Sequence, residues 1–117
     1  DVIAGALDCP GCDAHFPITG GVPRFVGNDT EEFDNFDFQW NMWQGIQIDR
    51  LSGHTLSEDR FLADSRWDPE WLRGHWVLDA GCGAGRFADI AAKFGANVVA
   101  CDLSGAIDAC RRRWQNT

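Results

Sequence analysis

At 117 residues the chain has room for one small domain burying roughly two thirds of its unfolded surface, and it is short for a complete α/β enzyme. A hydrophobic fraction of 44%, with six Trp and eight Phe, argues for a packed core and against disorder despite a net charge of -8. The 18 carboxylates outnumber ten basic side chains, of which only Lys93 is a lysine; this balance repels phosphates and anionic lipid and argues against an electrostatically driven nucleic-acid or membrane partner, leaving open an RNA substrate reached through segments outside this chain.

No run approaches the roughly 18 to 20 apolar residues of a membrane span, and no basic start followed by an apolar run marks a signal peptide, so a cytoplasmic location is expected. Five cysteines is an odd number, and Cys82, Cys101 and Cys110 fall inside apparent core elements. Reduced thiols are therefore expected rather than a disulfide framework. The chain begins at Asp1 and stops at Thr117 directly after a helical pattern, so both ends read as cut.

Residues 1–26 alternate short apolar runs with Gly and Pro, which predicts a small β-type module with tight turns at Cys9 to Cys12 and at Thr19 to Gly21. Residues 27–74 read as an aromatic linker and helices. The linker passes from an acidic stretch into Phe33, Phe36, Phe38, Trp40 and Trp43. Thr55 and Glu58 fit a capping box that opens a helix to about Ser65. Asp68, Pro69 and Glu70 supply an N-cap, a proline at the first helical position and an acid near the positive helix end, and Gly74 closes a short helix.

From residue 75 to 117 the pattern predicts strand (76–80), glycine loop, helix (about 85–94), a stop at Gly95, strand (97–101) and helix (104–114). Phe87, Ile90, Ala91 and Phe94 recur at helical spacing, and both strands are continuous apolar runs of the kind covered on two faces. The fold class is α/β: a βαβ unit with parallel strands, the first part of a Rossmann-like domain. There is no internal repeat and no low-complexity segment.

Gly81, Gly83 and Gly85 stand where a buried strand turns into a helix, and glycine lets the backbone pass close beneath a ligand. Asp102 ends the second strand, where its carboxylate is placed to accept hydrogen bonds from a ribose. Two cofactor classes use such a loop. An NAD(P) or FAD fingerprint wants a small residue at its third glycine position, where this chain has Arg86, and Asp79 just before the loop would repel a pyrophosphate. The same carboxylate suits the sulfonium and ammonium groups of S-adenosylmethionine.

The run VLDAGCGAGRF, residues 77–87, resembles motif I of class I S-adenosylmethionine-dependent methyltransferases, and VVACDLS, residues 98–104, resembles their second motif. The resemblance implies that Asp79, Ala80, Gly81, Cys82, Gly83 and Gly85 wrap the methionine portion, with Asp79 helping to hold its amino group. It implies further that Asp102 binds the ribose and that Leu103 packs near the adenine. In that family the sheet has about seven strands, so the acceptor site is expected largely outside this chain, which would be incomplete as an enzyme. Upstream, LDCPGCDAHFPITGGVPRF, residues 7–25, is similar to half of a zinc-ribbon-like module found ahead of some such methyltransferases. Cys9 and Cys12 would be half of a zinc site that needs four ligands, the rest supplied by a longer protein. His15 reads as a turn residue.

The remaining candidates have plainer readings. The aromatic run 36–43 fits a core between modules better than a cover over the cofactor. Arg111, Arg112 and Arg113 fit a solvated helix end better than an acceptor grip. His54 fits a capping or surface position better than a general base. Cys82 fits as a small side chain, since methyl transfer from a sulfonium needs no enzyme thiol. No catalytic residue is assigned. A small-molecule acceptor is favoured, and the competing readings are a nucleotide-dependent oxidoreductase and a non-catalytic zinc-ribbon interaction module fused to a methyltransferase-like domain.

Overall fold

The computed structural model describes residues 2–26 and 46–115. The aromatic run Phe33 to Trp43 lies outside the described residues.

Strands β1 (Gly5–Asp8) and β2 (His15–Thr19) form an antiparallel hairpin in which Leu7 pairs with Phe16 and Asp8 with His15. The connection turns tightly, with the Cys9 amide donating to the Ala14 carbonyl at 3.0 Å and the Cys12 amide to the Cys9 carbonyl at 3.4 Å. A turn at Gly20 and Gly21 returns the chain as β3 (Val22–Pro23), antiparallel to β2. All four residues of β1 are exposed, so this small sheet has little core of its own. Its support comes from docking. Arg24 pairs with Asp108 at 2.5 Å, and Val22 packs against the cluster formed by Cys82, Ile107 and Cys110.

Helices α1 (Asp49–Ser52) and α2 (Leu56–Ser65) meet through a cap that differs from the expected capping box. Asp49 Oδ1 accepts the Ser57 amide at 3.0 Å, and its Oδ2 accepts the Glu58 amide at 2.9 Å. Thr55 instead donates its hydroxyl to Asp59 at 3.1 Å, and the Glu58 carboxylate pairs with Lys93. An ionised carboxylate is a stronger acceptor than a hydroxyl, so Asp49 takes two of the free amides of the first turn. Helix α3 (Pro69–Leu72) starts as its sequence predicts, with Asp68 accepting the Glu70 amide at 2.9 Å and Pro69 in the first turn.

The βαβ unit consists of β4 (Trp76–Ala80), α4 (Arg86–Lys93) and β5 (Asn97–Cys101), followed by α5 (Ala106–Gln115). β4 and β5 are parallel, with Leu78 opposite Val99 and Ala80 opposite Cys101. One core cluster joins Phe61 of α2, Leu72 of α3, Val77 of β4 and Ile90 and Ala91 of α4. The second joins Cys82, Ile107 and Cys110. Both clusters lie against the same side of the sheet, through Val77, Val98 and Ala100.

The strands are not covered on both faces as their apolar runs predict. Trp76 is 75% exposed, Leu78 65% and Val99 49%, and Cys101 is exposed with them, unlike the buried Cys82 and Cys110. Each strand alternates sides, and among the described residues the helices pack on one side. No helix of the described residues is long and apolar enough to cross a membrane.

Candidate functional site

The site is built where β4 ends. The Gly81 and Cys82 amides both donate to the Cys101 carbonyl, at 2.8 and 3.0 Å, which ties the start of the loop to the end of β5. The Gly85 amide then closes the turn on the Cys82 carbonyl at 2.8 Å. Gly81 and Gly85 both have positive φ, 78° and 86°, a region that strains any side chain. Their surroundings differ. A Cβ on Gly81 would meet nothing within 4 Å, whereas one on Gly85 would lie 2.5 Å from Cys110 Sγ and 2.8 Å from Arg113 Nη2. Gly85 lets α5 press against the loop, and Gly81 leaves the opposite side open.

Asp79 reaches from β4 to the first turn of α4. Its Oδ2 accepts the Ala88 amide at 2.9 Å, supplying the cap that Gly85, lacking a side chain, cannot give. Burial, and to a lesser extent the negative charge of Asp102, push the Asp79 carboxyl above its ordinary range. Among the described residues no lysine or arginine forms an ion pair with it.

Asp102, just beyond β5, is held by three donors. Its Oδ2 accepts the Gly83 amide at 2.7 Å, and its Oδ1 accepts the Ser104 amide at 2.8 Å and the Ser104 hydroxyl at 2.6 Å. Burial opposes its ionisation, but the Ser104 and Gly83 hydrogen bonds outweigh that and hold the carboxyl below the usual range. Among the described residues Oδ2 accepts the Gly83 amide alone, and a carboxylate oxygen has a second acceptor direction.

The residues singled out from sequence therefore fall into two groups. Asp79, Ala80, Gly81, Gly83, Gly85, Asp102 and Leu103 lie on the loop and at the ends of the two strands, with Leu103 64% exposed beside Asp102. Cys82 belongs to the same loop, but its side chain is buried against α5 with Cys110. Three further residues shape the site. Ser104 fixes Asp102, Ser57 accepts the Arg86 Nε hydrogen bond at 2.7 Å, and the Arg86 guanidinium lies 5.2 Å from the Phe87 ring centroid. The Asp102-Leu103-Ser104 order was a legible signal, because a serine two residues past an aspartate commonly closes a local turn of this kind. The Arg86 to Ser57 bond spans α4 and α2, which no local pattern reveals.

A cavity of about 210 Å³ opens beside Asp79, walled in part by Phe61, Trp67, Leu78 and Phe87. A larger one of about 760 Å³ lies between α1, α2 and α4 and contains none of the loop residues. His54 borders it, with Nδ1 3.2 Å from Asp49 Oδ1 and Nε2 3.0 Å from the Ile46 carbonyl. Both ring nitrogens are thus engaged in holding the α1 to α2 turn.

Residues 78–117 match the model of a family described as a methyltransferase domain. The methyltransferase-domain match begins inside β4 and takes in the whole loop, Asp79, α4, β5, Asp102 and α5. No curated protein and no solved structure matches the chain. Upstream of the methyltransferase-domain match, Cys9 and Cys12 sit together on an exposed turn, where the Gly11 amide and the Cys12 thiol and amide lower the Cys9 thiol below its ordinary value. Among the described residues no group of three or more His, Cys, Asp or Glu is arranged to hold a metal. His15 is turned to Asp8, with Nδ1 2.6 Å from Oδ1. Two thiols alone do not make the four-ligand site that structural zinc requires.

Proposed function

We propose that the loop from Asp79 to Gly85, with Asp102 and Leu103, holds S-adenosylmethionine, and that the chain carries the cofactor part of a methyltransferase acting on a small molecule. The observation that supports this best is the pair of carboxylates at the ends of β4 and β5. One, Asp79, has no cationic partner among the described residues and stands beside an aromatic-walled cavity; the other, Asp102, is held next to the loop by the Gly83 amide and by Ser104. The residues fit the group. Asp79 and the rings of Phe61, Trp67 and Phe87 suit a positively charged guest, because a ring face and a carboxylate both attract a cation. Gly81 leaves the backbone open to close approach, and the second acceptor direction of Asp102 Oδ2 suits a ribose hydroxyl.

When bound, S-adenosylmethionine supplies a methyl group activated by its positive sulfur. The part this chain plays is orientation and water exclusion: Asp79 fixes the charged end, Asp102 the sugar, and the apolar wall keeps water from the reacting region. The same Asp79 charge disfavours a dinucleotide pyrophosphate. A small-molecule acceptor accords with the acidic surface, which repels nucleic acid. In a longer protein, Cys9 and Cys12 would be two of four zinc ligands.

Calorimetry with S-adenosylhomocysteine and with NAD separates the readings. Heat with the first and none with the second is expected, and binding of NAD alone would sink the proposal.

A further inference from the structure

Two buried thiols meet beneath the loop. Cys82, 7% exposed, lies within the loop, and Cys110, 4% exposed, comes from α5; with Ile107 they form one cluster. Cys82 Sγ also approaches the Gly83 carbonyl at 3.4 Å. On its other side Cys110 Sγ presses on Gly85, at 2.5 Å from the place a Cβ would occupy. Neither thiol has a part in the proposed cofactor chemistry, and both touch the segment that would carry it. We propose that Cys82 and Cys110 are an oxidation site, at which a peroxide joins the two sulfurs in a disulfide that binds the glycine loop to α5 and weakens cofactor binding.

The surroundings divide the roles. Hydrogen bonding from Cys82, and then the positive charge of Arg113, lower the Cys110 thiol against the effect of burial, while the same hydrogen bond and burial raise Cys82. Those directions make Cys110 the thiol that gives up its proton to attack and Cys82 the partner that closes the bond. Cys110 sulfur attacks one peroxide oxygen, the O–O bond breaks, and the released hydroxide takes up the proton that Cys110 gave up and leaves as water, giving a sulfenic acid. Cys82 sulfur then displaces the hydroxyl from Cys110; that hydroxyl leaves with the Cys82 proton as a second water. The two thiols together lose two electrons and the peroxide gains them.

An S–S bond of about 2.05 Å is far shorter than the contact of two unbonded sulfurs, so the loop and α5 must close on each other. Cys82 Sγ also leaves its 3.4 Å contact with the Gly83 carbonyl. Gly83 is the residue that Asp102 holds, so the strain falls on the backbone beside the proposed ribose site. The effect on ligand rests on the function proposed above; the disulfide and the loop change do not.

The test treats the full chain with hydrogen peroxide, blocks remaining thiols by alkylation, and reads three quantities: disulfide-linked peptides, hydrogen exchange over residues 81–86, and affinity for S-adenosylhomocysteine. The expected result is a Cys82 to Cys110 linked peptide, altered exchange in the loop, and affinity lowered by roughly tenfold and restored by dithiothreitol. Cys110→Ser should bind as the unmodified reduced chain does and lose the response, while replacing the exposed Cys9, Cys12 and Cys101 together by serine should retain it. Absence of the linked peptide at doses that oxidise Cys9 and Cys12, or a linked peptide with unchanged loop exchange, overturns the proposal. A reduced chain that binds no S-adenosylhomocysteine would instead refute the cofactor assignment, and the peptide and exchange measurements would still decide this one.

Discussion

Gly83 donates its amide hydrogen to Asp102 Oδ2 at 2.7 Å, so the carboxylate that follows β5 holds the middle of the loop that follows β4. Asp102 is thus a fastening for the loop as well as the proposed ribose acceptor. Asp102→Asn keeps the size of the side chain but sets an NH₂ group against one of its present donors. Faster amide exchange at Gly83 and at least about tenfold weaker S-adenosylhomocysteine binding are expected, because hydrogen bonds to a charged group contribute about 1.5–3 kcal/mol each. Calorimetry and hydrogen exchange on the same variant check both; an unchanged affinity in a folded protein refutes the role.

Gly81 and Gly85 should respond differently to alanine. Both substitutions place a Cβ at positive φ, which costs about 1–2 kcal/mol. Gly85→Ala also drives a methyl into Cys110 and Arg113 and should lose roughly 1–3 kcal/mol more, seen in chemical denaturation. Gly81→Ala meets open space, so the fold should survive while affinity for S-adenosylhomocysteine falls.

Asp79→Asn should make the ligand-free chain more stable and a worse binder. The neutral amide still accepts the Ala88 hydrogen bond and removes a half-buried charge, but it gives up the attraction for a cationic guest. Thermal melts with and without S-adenosylhomocysteine measure the two effects. A variant that melts lower without ligand, or binds as tightly as before, contradicts this account.

Acid titration should show opposite contributions from the aspartates. Asp79 has a folded value raised above its unfolded value near 3.9, so its ionisation costs stability at neutral pH and that cost is relieved as pH falls through the folded value. Asp49 and Asp102 have lowered folded values; their stabilisation is full above about pH 4 and is lost as pH falls through the folded values below it. For Asp49 burial acts against the lowering, which the Glu58 and Ser57 hydrogen bonds and then the His54 charge produce. Asp49→Asn should flatten the loss below pH 4 and weaken the cap of α2 by about 1 kcal/mol, read from denaturation midpoints across pH.

Arg24→Ala removes the ion pair that fastens the small sheet to α5. Arg24 and Asp108 side chains are 25% and 38% exposed, so the change should cost no more than about 1 kcal/mol. Its signature is local, namely faster exchange and proteolysis within residues 2–26 with little change in β4 and β5.

The βαβ unit was legible because each signal is local: apolar strand runs, a helical period, and Gly95 as a stop. The same holds for α3, where Asp68 and Pro69 stand next to the turn they start. The Thr55 cap was misread because the better acceptor, Asp49, arrives from the preceding helix, and short-range capping patterns do not weigh a carboxylate reached through a turn. The strands were read as covered on both sides because Trp76, Leu78 and Val99 are apolar, and hydropathy reports what a side chain prefers rather than what lies over it. At the site, the glycines and Asp79 were visible as types and spacing. The hold of Asp102 on Gly83, and the turning of Cys82 toward α5, depend on how β5 and α5 pack, which spacing alone does not encode.

Val22 of the small sheet packs against the cluster that Cys82 of the loop forms with Ile107 and Cys110 of α5. The N-terminal sheet is therefore not an interchangeable appendage. A chimaera that grafts a different module ahead of this βαβ unit must reproduce a Val22-sized contact on α5, or it will loosen the packing under the loop without altering a single loop residue.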